Sequence, residues 1–467
     1  MTGKGRTDEG GDDPAMDASA SNAEGRGASG SQRGGKHGSP RESETMMGRI
    51  LDPENLAAAW KRVRSNRGAP GIDGMTVGAF PAFCREHWPR IRAALEDGTY
   101  RPAAVRRVEI PKPDGTTRPL GVPTVLDRVI QQAVAQVLTP LFDAGFSEHS
   151  YGFREGRGAH GAVRQMEAGW RERRRHAVDC DLKSFFDTVN HDRLMGRLRE
   201  KVRDGNVLRL IQRYLVAGVE LPDGTREATP RGVPQGGPLS PLLANIVLDP
   251  LDKELEARGH KFARYADDFI VMVRSARAAG RVMGSLTRFV EGQLKLVVNR
   301  AKSRTAPLKE CSFLGFRIGA RGKLVWTAQV QQRFKQRVRE ITRRNRGHRV
   351  QDVIGELRLY VRGWLNYFGI SSTYSAVLEL SEWLRRRVRL YYWKQWRRPR
   401  TRRRNLIALG IEPERVKLAS RSRKGYWRMS NNSIVQQALS NRWLEEQGVP
   451  DMRTLWIRLH YGPKARV

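Results

Sequence analysis

The sequence predicts an α+β domain followed by a smaller helical domain. Over residues 46–322, short β-rich runs alternate with helical ones, and 105–110 and 177–182 are two of the β-rich runs. Over residues 323–397, apolar residues instead recur every three or four positions in three successive segments. That change of period predicts three amphipathic helices that pack into a domain of their own.

Net charge indicates what kind of partner the protein binds. The 467 residues include 85 Lys and Arg but only 49 Asp and Glu, which gives a formal net charge of +36. The electrostatic field of so large a positive charge favours a polyanion as binding partner. Hydrophobic residues make up 39% of the chain, with 11 Trp and 14 Phe, so there is enough apolar material for packed domains and a wholly disordered chain is excluded.

The two ends of the chain differ in composition. Residues 1–45 contain ten Gly and six Ser and few large apolar side chains, so we expect a disordered tail there. Between residues 381 and 430 the chain has 17 Lys and Arg against three acidic residues, and Tyr and Trp are interleaved with them. Cations interleaved with aromatic rings are typical of nucleic-acid binding, which we predict for this basic stretch.

Cysteine usage and hydropathy bear on the compartment. The three cysteines, Cys84, Cys180 and Cys311, form no Cys-X-X-Cys pair, which excludes a disulfide framework and a cysteine-based zinc module. The sequence also has no apolar run of membrane-spanning length and no secretory signal. We therefore expect a protein of the bacterial cytoplasm or nucleoid with no membrane partner.

Carboxylates stand at two predicted strand ends. Asp181 ends a β-rich run, and Asp267 and Asp268 form a tight polar step between the two β-prone halves of residues 262–273, which is a hairpin pattern. If the hairpin pairs beside the first strand, Asp181 and Asp267 approach each other, and Mg²⁺ is the cation that such hard oxygen ligands suit. The Asp-Asp pair can also serve the backbone of the turn alone, so the pattern by itself leaves both interpretations open.

Neighbouring motifs decide between these interpretations. R-Y-A-D-D-F at 264–269 resembles the Y-A-D-D box of reverse transcriptases, and R-G-V-P-Q-G-G-P at 231–238 resembles their P-Q-G loop. Four further segments resemble the bacterial group II intron branch of these enzymes: G-A-P-G-I-D-G-M-T (68–76), I-P-K-P-D-G-T-T-R-P-L-G-V-P-T (110–124), S-Y-G-F-R-E-G-R-G-A-H (150–160) and L-Y-V-R-G-W-L-N-Y-F (359–368). The resemblance runs in motif order from about Leu51 onward.

This resemblance implies a right-hand polymerase fold. Fingers and palm would occupy residues 46–322, an α-helical thumb or maturase domain 323–397, and a basic DNA-binding region 398–467. Many relatives continue into an H-N-H endonuclease that carries cysteine pairs. Because this chain has no such pair, we expect no endonuclease domain.

The resemblance also implies the catalytic residues. Asp181, Asp267 and Asp268 would hold Mg²⁺ and catalyse nucleotidyl transfer. Phe186, five residues after Asp181, would press against the sugar C2′ and so disfavour ribonucleotides. Asp187 lies on the same turn but is expected to be structural.

Four more residues are expected to bind the incoming nucleotide. Lys112 and Arg118 flank a Pro-Asp-Gly turn, where two cations on one hairpin can neutralise adjacent phosphates. Gln235 in the P-Q-G loop can contact the nucleotide through its amide. Lys302 matches the place where similar enzymes carry a lysine for the leaving pyrophosphate.

Two groups outside the palm are predicted to bind nucleic acid. Arg362 and Tyr367 lie on a predicted thumb helix that combines cationic, aromatic and amide side chains. Arg402, Arg403 and Arg404 form a run of three arginines in the basic C-terminal region. These side chains are suited to phosphate contact and base stacking.

The resemblance therefore implies an RNA-directed DNA polymerase encoded by a group II intron. It would also bind the intron RNA as a maturase, assist splicing and support retrohoming. Its partners would be the group II intron RNA, an RNA template with a DNA primer, target DNA and deoxynucleoside triphosphates. Two alternatives stay open: a reverse transcriptase of the same branch from a retron, diversity-generating or phage-defence system, and a maturase that acts only as an RNA-binding splicing factor.

Overall fold

The computed structural model describes residues 45–111, 115, 117–343 and 345–462. Two of the predictions fall elsewhere: the tail, apart from Thr45, and Lys112 lie outside the described residues. Within the described part, no helix is long and apolar enough to cross a membrane.

Ten helices of the described part precede the thumb. They are α1 (Met46–Ile50), α2 (Pro53–Ser65), α3 (Phe80–Glu96), α4 (Val125–Asp143), α5 (Ala159–Arg171), α6 (Phe185–Thr188), α7 (His191–Lys201), α8 (Gly205–Leu215), α9 (Ser240–Ala257) and α10 (Ala276–Gly292). Polar side chains fix several of the starts. Asp52, Thr124 and Asn190, for example, accept backbone N–H bonds at the first turns of α2, α4 and α7.

The strands of the described residues form three sheets. They are β1 (Val105–Pro111), β2 (Thr117–Val122), β3 (His176–Cys180), β4 (Val219–Glu220), β5 (Arg226–Glu227), β6 (Lys261–Tyr265), β7 (Asp268–Val273), β8 (Arg304–Pro307), β9 (Phe316–Ile318) and β10 (Leu324–Trp326). The fingers sheet has the order β2-β1-β4-β5, the palm sheet β6-β7-β3-β8, and β10-β9 is a separate hairpin. The predicted strands over 105–110 and 177–182 are thus confirmed within a residue or two.

The palm sheet positions the candidate site. All three of its strand pairs are antiparallel, with β7 between β6 and β3. Helix α10 packs against β3 and β8, and α5 packs against β6. The residues of β7 after its first are buried, so the sheet has a closely packed inner strand that begins at Asp268.

Nine helices of the described part follow the palm. They are α11 (Ala328–Ile341), α12 (Val350–Phe368), α13 (Tyr374–Gln395), α14 (Pro399–Ala408), α15 (Pro413–Ser420), α16 (Tyr426–Met429), α17 (Ser433–Ala438), α18 (Asn441–Glu446) and α19 (Met452–Tyr461). Helices α11, α12 and α13 are the three amphipathic helices predicted from the sequence. The prediction of a mixed helix-and-sheet part followed by a helical part is confirmed.

The hydrophobic core of the helical part crosses the predicted boundary between 397 and 398. One continuous cluster of buried residues runs from Trp326 through Trp393 in α13 and Leu406 in α14 to Trp456 in α19. The basic region therefore packs on the thumb helices through apolar side chains. The three predicted domain boundaries themselves remain predictions.

Candidate active site

A two-residue turn carries the first carboxylates. Strands β6 and β7 pair down to Tyr265 opposite Asp268, which leaves Ala266 and Asp267 to make the turn. Ala266 has φ +57°, a conformation that side chains other than glycine rarely adopt. The predicted hairpin over 262–273 is confirmed, and Asp267 stands at its tip.

Strand register brings Asp181 beside this turn. Cys180, the last residue of β3, pairs with Phe269 of β7, so the next position along β3 is level with Asp268. The carboxylates influence one another electrostatically. Loss of water contact and the negative charges of Asp267 and Asp181 together raise the pKa of Asp268 to about 6, although its side chain still reaches solvent.

Asp181 is held from a separate turn. The Asn299 amide donates to its carboxylate oxygen Oδ2 at 2.8 Å, and the Asn299 backbone N–H donates to its carbonyl at 2.8 Å. The backbone N–H of Asp181 donates to Ser303 Oγ at 3.0 Å. Lys302 lies inside this 299–303 turn with an exposed side chain, which puts it on the segment that fixes Asp181.

These carboxylates fit a divalent cation in donor type and charge. In the described residues, however, no group of three or more His, Cys, Asp or Glu side chains is arranged so that it could hold a metal ion. Burial and the charge of Asp181 raise the pKa of Asp267, as burial and its neighbours do for Asp268. The site thus carries excess negative charge that a bound cation would neutralise, and its ligands are the hard oxygens that divalent cations such as Mg²⁺ bind.

The P-Q-G loop is bonded to both the palm and the fingers. The backbone N–H of Val233 donates to the Phe186 carbonyl at 2.6 Å, and that of Gly121 in β2 donates to the Gln235 carbonyl at 2.7 Å. Gly232 adopts φ +93°, and a Cβ there would lie 2.8 Å from the Phe186 carbonyl oxygen. Glycine is therefore required where this loop meets the Phe186 turn.

Phe186 and Gln235 line the same cleft. It has a volume of about 480 Å³ and lies between β2, the Phe186 turn and the P-Q-G loop. Arg107, Asp187 and Arg231 also line it, and the sequence analysis assigned no binding role to these three. Strand β1 reads V-R-R-V-E-I-P, and nothing in this local sequence distinguishes Arg107 from Arg106, so only the fold identifies it.

Asp187, expected to be structural, therefore faces a cleft. Burial raises the pKa of its carboxyl, and the positive charge of Arg107 opposes that rise. A cation and a carboxylate stand beside Phe186 and Gln235 in one cavity. The cleft is thus lined by a guanidinium and a carboxyl group as well as by the Phe186 ring and the Gln235 amide.

Arg118 stands within electrostatic reach of the carboxylates. It is exposed on β2, paired with Ile110 of β1, and its charge lowers the pKa of both Asp267 and Asp268. This location is compatible with a role at the triphosphate. Lys112, its expected companion, lies outside the described residues.

The two predicted thumb contacts differ in their surroundings. Arg362 is exposed on α12 and lines a small groove together with Arg458 of α19. Tyr367 is half-buried where α12 meets the palm: its hydroxyl donates to the Leu314 carbonyl at 3.2 Å, and its ring packs on Phe316. Tyr367 therefore joins the thumb to the palm, and its contact with nucleic acid remains a prediction.

The three C-terminal arginines also differ. Arg402 is buried: it donates to the Trp396 carbonyl at 2.9 Å, and its guanidinium lies 4.7 Å from the ring centre of Trp393. Arg403 and Arg404 are exposed on α14. The structure thus places two of the three in contact with solvent and the third inside the helical core.

Two segments of the chain match known protein families. Residues 110–318 match the family described as "Reverse transcriptase (RNA-dependent DNA polymerase)", and residues 331–409 match "Group II intron, maturase-specific domain". Protein YkfC of Escherichia coli (strain K12) is 33% identical over 316 residues, which cover 59% of this chain and 83% of YkfC. The chain belongs to the group II intron reverse transcriptase and maturase family.

Other relatives match over shorter segments. The group II intron-encoded protein LtrA of Lactococcus lactis subsp. cremoris is 36% identical over 222 residues, which cover 47% of this chain but only 37% of LtrA. Among solved structures, one titled as a partial Cas6-RT-Cas1–Cas2 complex is similar with a TM-score of 0.36 and 26% identity, covering 55% of this chain and 44% of that one.

Family membership confirms the predicted fold class and type of enzyme. The reverse transcriptase match begins in β1 and ends in β9, so it contains Asp181, Asp267 and Asp268. The maturase match begins in α11 and ends just beyond α14, past the boundary predicted at 397. A reverse transcriptase domain followed by a helical maturase domain is therefore established.

Proposed function

We propose that this protein extends a DNA primer on an RNA template, with Mg²⁺ held by Asp181, Asp267 and Asp268. The observation that carries the proposal is the strand register that sets Asp181 level with the Asp267–Asp268 turn. Burial and the neighbouring charges of Asp267 and Asp181, which raise the pKa of Asp268, support it. When bound, two Mg²⁺ ions would lower the pKa of the attacking primer hydroxyl and neutralise the triphosphate.

The chain's own residues would bind and orient the nucleotide. Phe186 and Gln235 line one cleft, so a ring against the sugar and an amide beside it can act on the same nucleotide. Arg118 would contact the triphosphate from β2, with Lys112 beside it. Lys302, on the turn that fixes Asp181, would donate a proton to the leaving pyrophosphate.

We further propose that the thumb and the basic region bind the group II intron RNA and the target DNA. The match to the maturase-specific domain supports an RNA partner, and the exposed cations Arg362, Arg403 and Arg404 are available to phosphates. The protein would assist splicing of its intron and its insertion into DNA, in the bacterial cytoplasm or nucleoid.

Primer extension tests the polymerase proposal. Wild-type protein with Mg²⁺, an RNA template, a DNA primer and deoxynucleoside triphosphates should extend the primer, whereas Asp268→Ala should not extend it and should still bind RNA. Asp97→Asn, an exposed carboxylate at the end of α3, is the matched control and should extend at the wild-type rate. Equal extension by wild type and Asp268→Ala would refute the assignment.

A splicing assay tests the maturase proposal. The DNA flanking the gene is transcribed, and the RNA is incubated at low Mg²⁺ with and without the protein. Protein-dependent ligation of the exons is the expected result. Primer extension without ligation would instead favour a retron, diversity-generating or defence role, and ligation without extension would favour a splicing factor alone.

A further inference from the structure

A buried arginine lies directly behind the catalytic turn. Arg264 on β6 is fully buried, and so is Asp252 of α9, its partner in an ion pair. Both carboxylate oxygens of Asp252 accept from the Arg264 guanidinium, at distances from 2.5 to 3.0 Å. A buried pair of this kind does not by itself add stability over apolar packing, so its presence calls for another explanation.

The rest of the guanidinium reaches the turn itself. Arg264 Nη1 donates to the Ala266 carbonyl at 2.9 Å and to Asn245 Oδ1 at 3.0 Å, while Nη2 donates to Ser150 Oγ at 2.7 Å. Ala266 is the residue with the positive φ that turns the chain toward Asp267. One side chain therefore joins helix α9, the 147–152 segment and the carbonyl at the tip of the hairpin.

The backbone around Arg264 completes this attachment. Its N–H donates to the His149 carbonyl at 2.9 Å, and its carbonyl accepts from the Tyr151 N–H at 2.9 Å. Next in the chain, Gly152 lies so close that a Cβ there would be 2.3 Å from the Ala266 nitrogen. The Asn245 amide donates to the Gly152 carbonyl at 2.9 Å. Through Asn245, α9 therefore contacts both Arg264 and the segment that packs against Ala266.

We propose that Arg264 is a positioning residue that sets the geometry of the catalytic turn, with Asp252, Asn245 and Ser150 as its supports. By fixing the Ala266 carbonyl, it keeps the strained residue in its left-handed conformation and directs Asp267 toward Asp181. The proposal deepens the proposed polymerase function and rests on it. It assigns a role to the Arg of the R-Y-A-D-D-F motif.

The test compares Arg264→Lys with the wild type in single-nucleotide addition. Lysine keeps the positive charge but cannot bond Asp252, Asn245, Ser150 and the Ala266 carbonyl together. We expect turnover per active enzyme to fall about 10- to 100-fold. The Mg²⁺ concentration for half-maximal rate should rise severalfold, because the displaced carboxylates bind the metal less well, while template-primer affinity stays unchanged.

Arg389→Lys is the matched control. Arg389 in α13 is also buried and also donates to a backbone carbonyl, that of Leu439 at 2.8 Å, and to the side chain of Asn441 at 2.7 Å. Its replacement should leave the Mg²⁺ midpoint and the turnover per active enzyme at wild-type values. Active enzyme is counted from the amplitude of the first nucleotide addition, so partial unfolding does not affect either readout.

Ser150→Ala gives a second measurement that keeps the buried ion pair. It removes only one acceptor of Arg264 and should shift the Mg²⁺ midpoint in the same direction by a smaller factor. Unchanged midpoints in both Ser150→Ala and Arg264→Lys, with an active wild type, would overturn the proposal. A wild type that fails to extend any primer would refute the polymerase function instead, so the two failures are distinguishable.

Discussion

The catalytic turn and the basic C-terminal region are both rich in charge, but they hold it in different ways. Beneath the turn, Arg264 and Asp252 are fully buried and bonded to defined partners. In α14, Arg403 and Arg404 are exposed, and only Arg402 is buried against the helical core. In the palm, buried hydrogen bonds fix the positions of the charged groups. In the basic region, most of the charged groups of α14 are exposed on the surface.

This contrast predicts two kinds of sensitivity to mutation. Nucleotidyl transfer depends on carboxylates placed to within fractions of an ångström, and a displacement of about 1 Å can cost about 100-fold in rate. Binding to a phosphate backbone instead sums over many contacts, each replaceable by its neighbours. Substitutions behind the turn should therefore have steep effects, and those on α14 should have graded ones.

Gly152→Ala should give the largest effect. The new Cβ would lie 2.3 Å from the backbone nitrogen of Ala266, and backbone cannot move away without shifting the turn that carries Asp267. We expect single-nucleotide addition at saturating template-primer to slow about 100-fold. Rapid-quench measurement of the addition rate checks this.

Gly196→Ala is the matched control for that substitution. Gly196 lies inside α7, and beyond its chain neighbours and the backbone of its own helix no atom lies within 4 Å of its added Cβ. Alanine there should leave the addition rate unchanged and stabilise the fold by about 0.5–1 kcal/mol, because glycine is unfavourable in a helix. Wild-type activity in Gly152→Ala would show that the turn tolerates displacement, which would remove the contrast between the two regions.

Phe186→Ala should have the next largest effect, on the choice of sugar. The ring lines the cleft shared with Gln235, and its loss would open space beside the nucleotide. We expect discrimination against ribonucleotides to fall about tenfold, measured as the ratio of kcat/KM values for the two sugars. Phe186→Tyr keeps the ring and should retain the discrimination, and an unchanged ratio in Phe186→Ala would place the sugar elsewhere.

The sequence predicted those features that depend on local pattern. Strand ends and the hairpin step placed Asp181 near Asp267, and helical spacing placed α11, α12 and α13. Local pattern did not indicate the role of Arg264, because its partners come from two distant segments, Asp252 and Asn245 from α9 and Ser150 from the 147–152 segment, which meet only in the fold. The role of Arg264 therefore depends on contacts between residues that are distant in sequence, and the motif alone does not show those contacts.

In the basic C-terminal region, too, local sequence does not show which residues are buried, as the run of three arginines illustrates. Nothing in the sequence of 402–404 distinguishes its members, but helical geometry turns Arg402 inward and leaves the next two outside. Tyr367 likewise shares a motif with Arg362, although it packs into the junction with the palm. Residues of one motif can thus have quite different surroundings in the fold.

Arg402→Gln should affect stability more than binding. It removes a charged donor from the carbonyl of Trp396 and the packing on the Trp393 ring. We expect the free energy of unfolding to fall by about 1 kcal/mol, measured by denaturant titration. Arg403→Gln, which removes an exposed neighbour, is the control and should change stability by less than about 0.5 kcal/mol.

The smallest effect is expected for the double substitution Arg403→Gln and Arg404→Gln. Truncation after residue 397 would remove part of the shared helical core, so neutralising these exposed charges is the cleaner test of DNA binding. Each lost phosphate contact should reduce the slope of log affinity against log salt by about 0.9 for duplex DNA. We expect a reduction of about 1 to 2 and a few-fold loss of affinity, with the primer-extension rate at saturating substrate unchanged. An unchanged slope would mean that these exposed charges do not contact DNA, and a fall in the extension rate would mean that this surface, like the palm, depends on position rather than on the amount of charge.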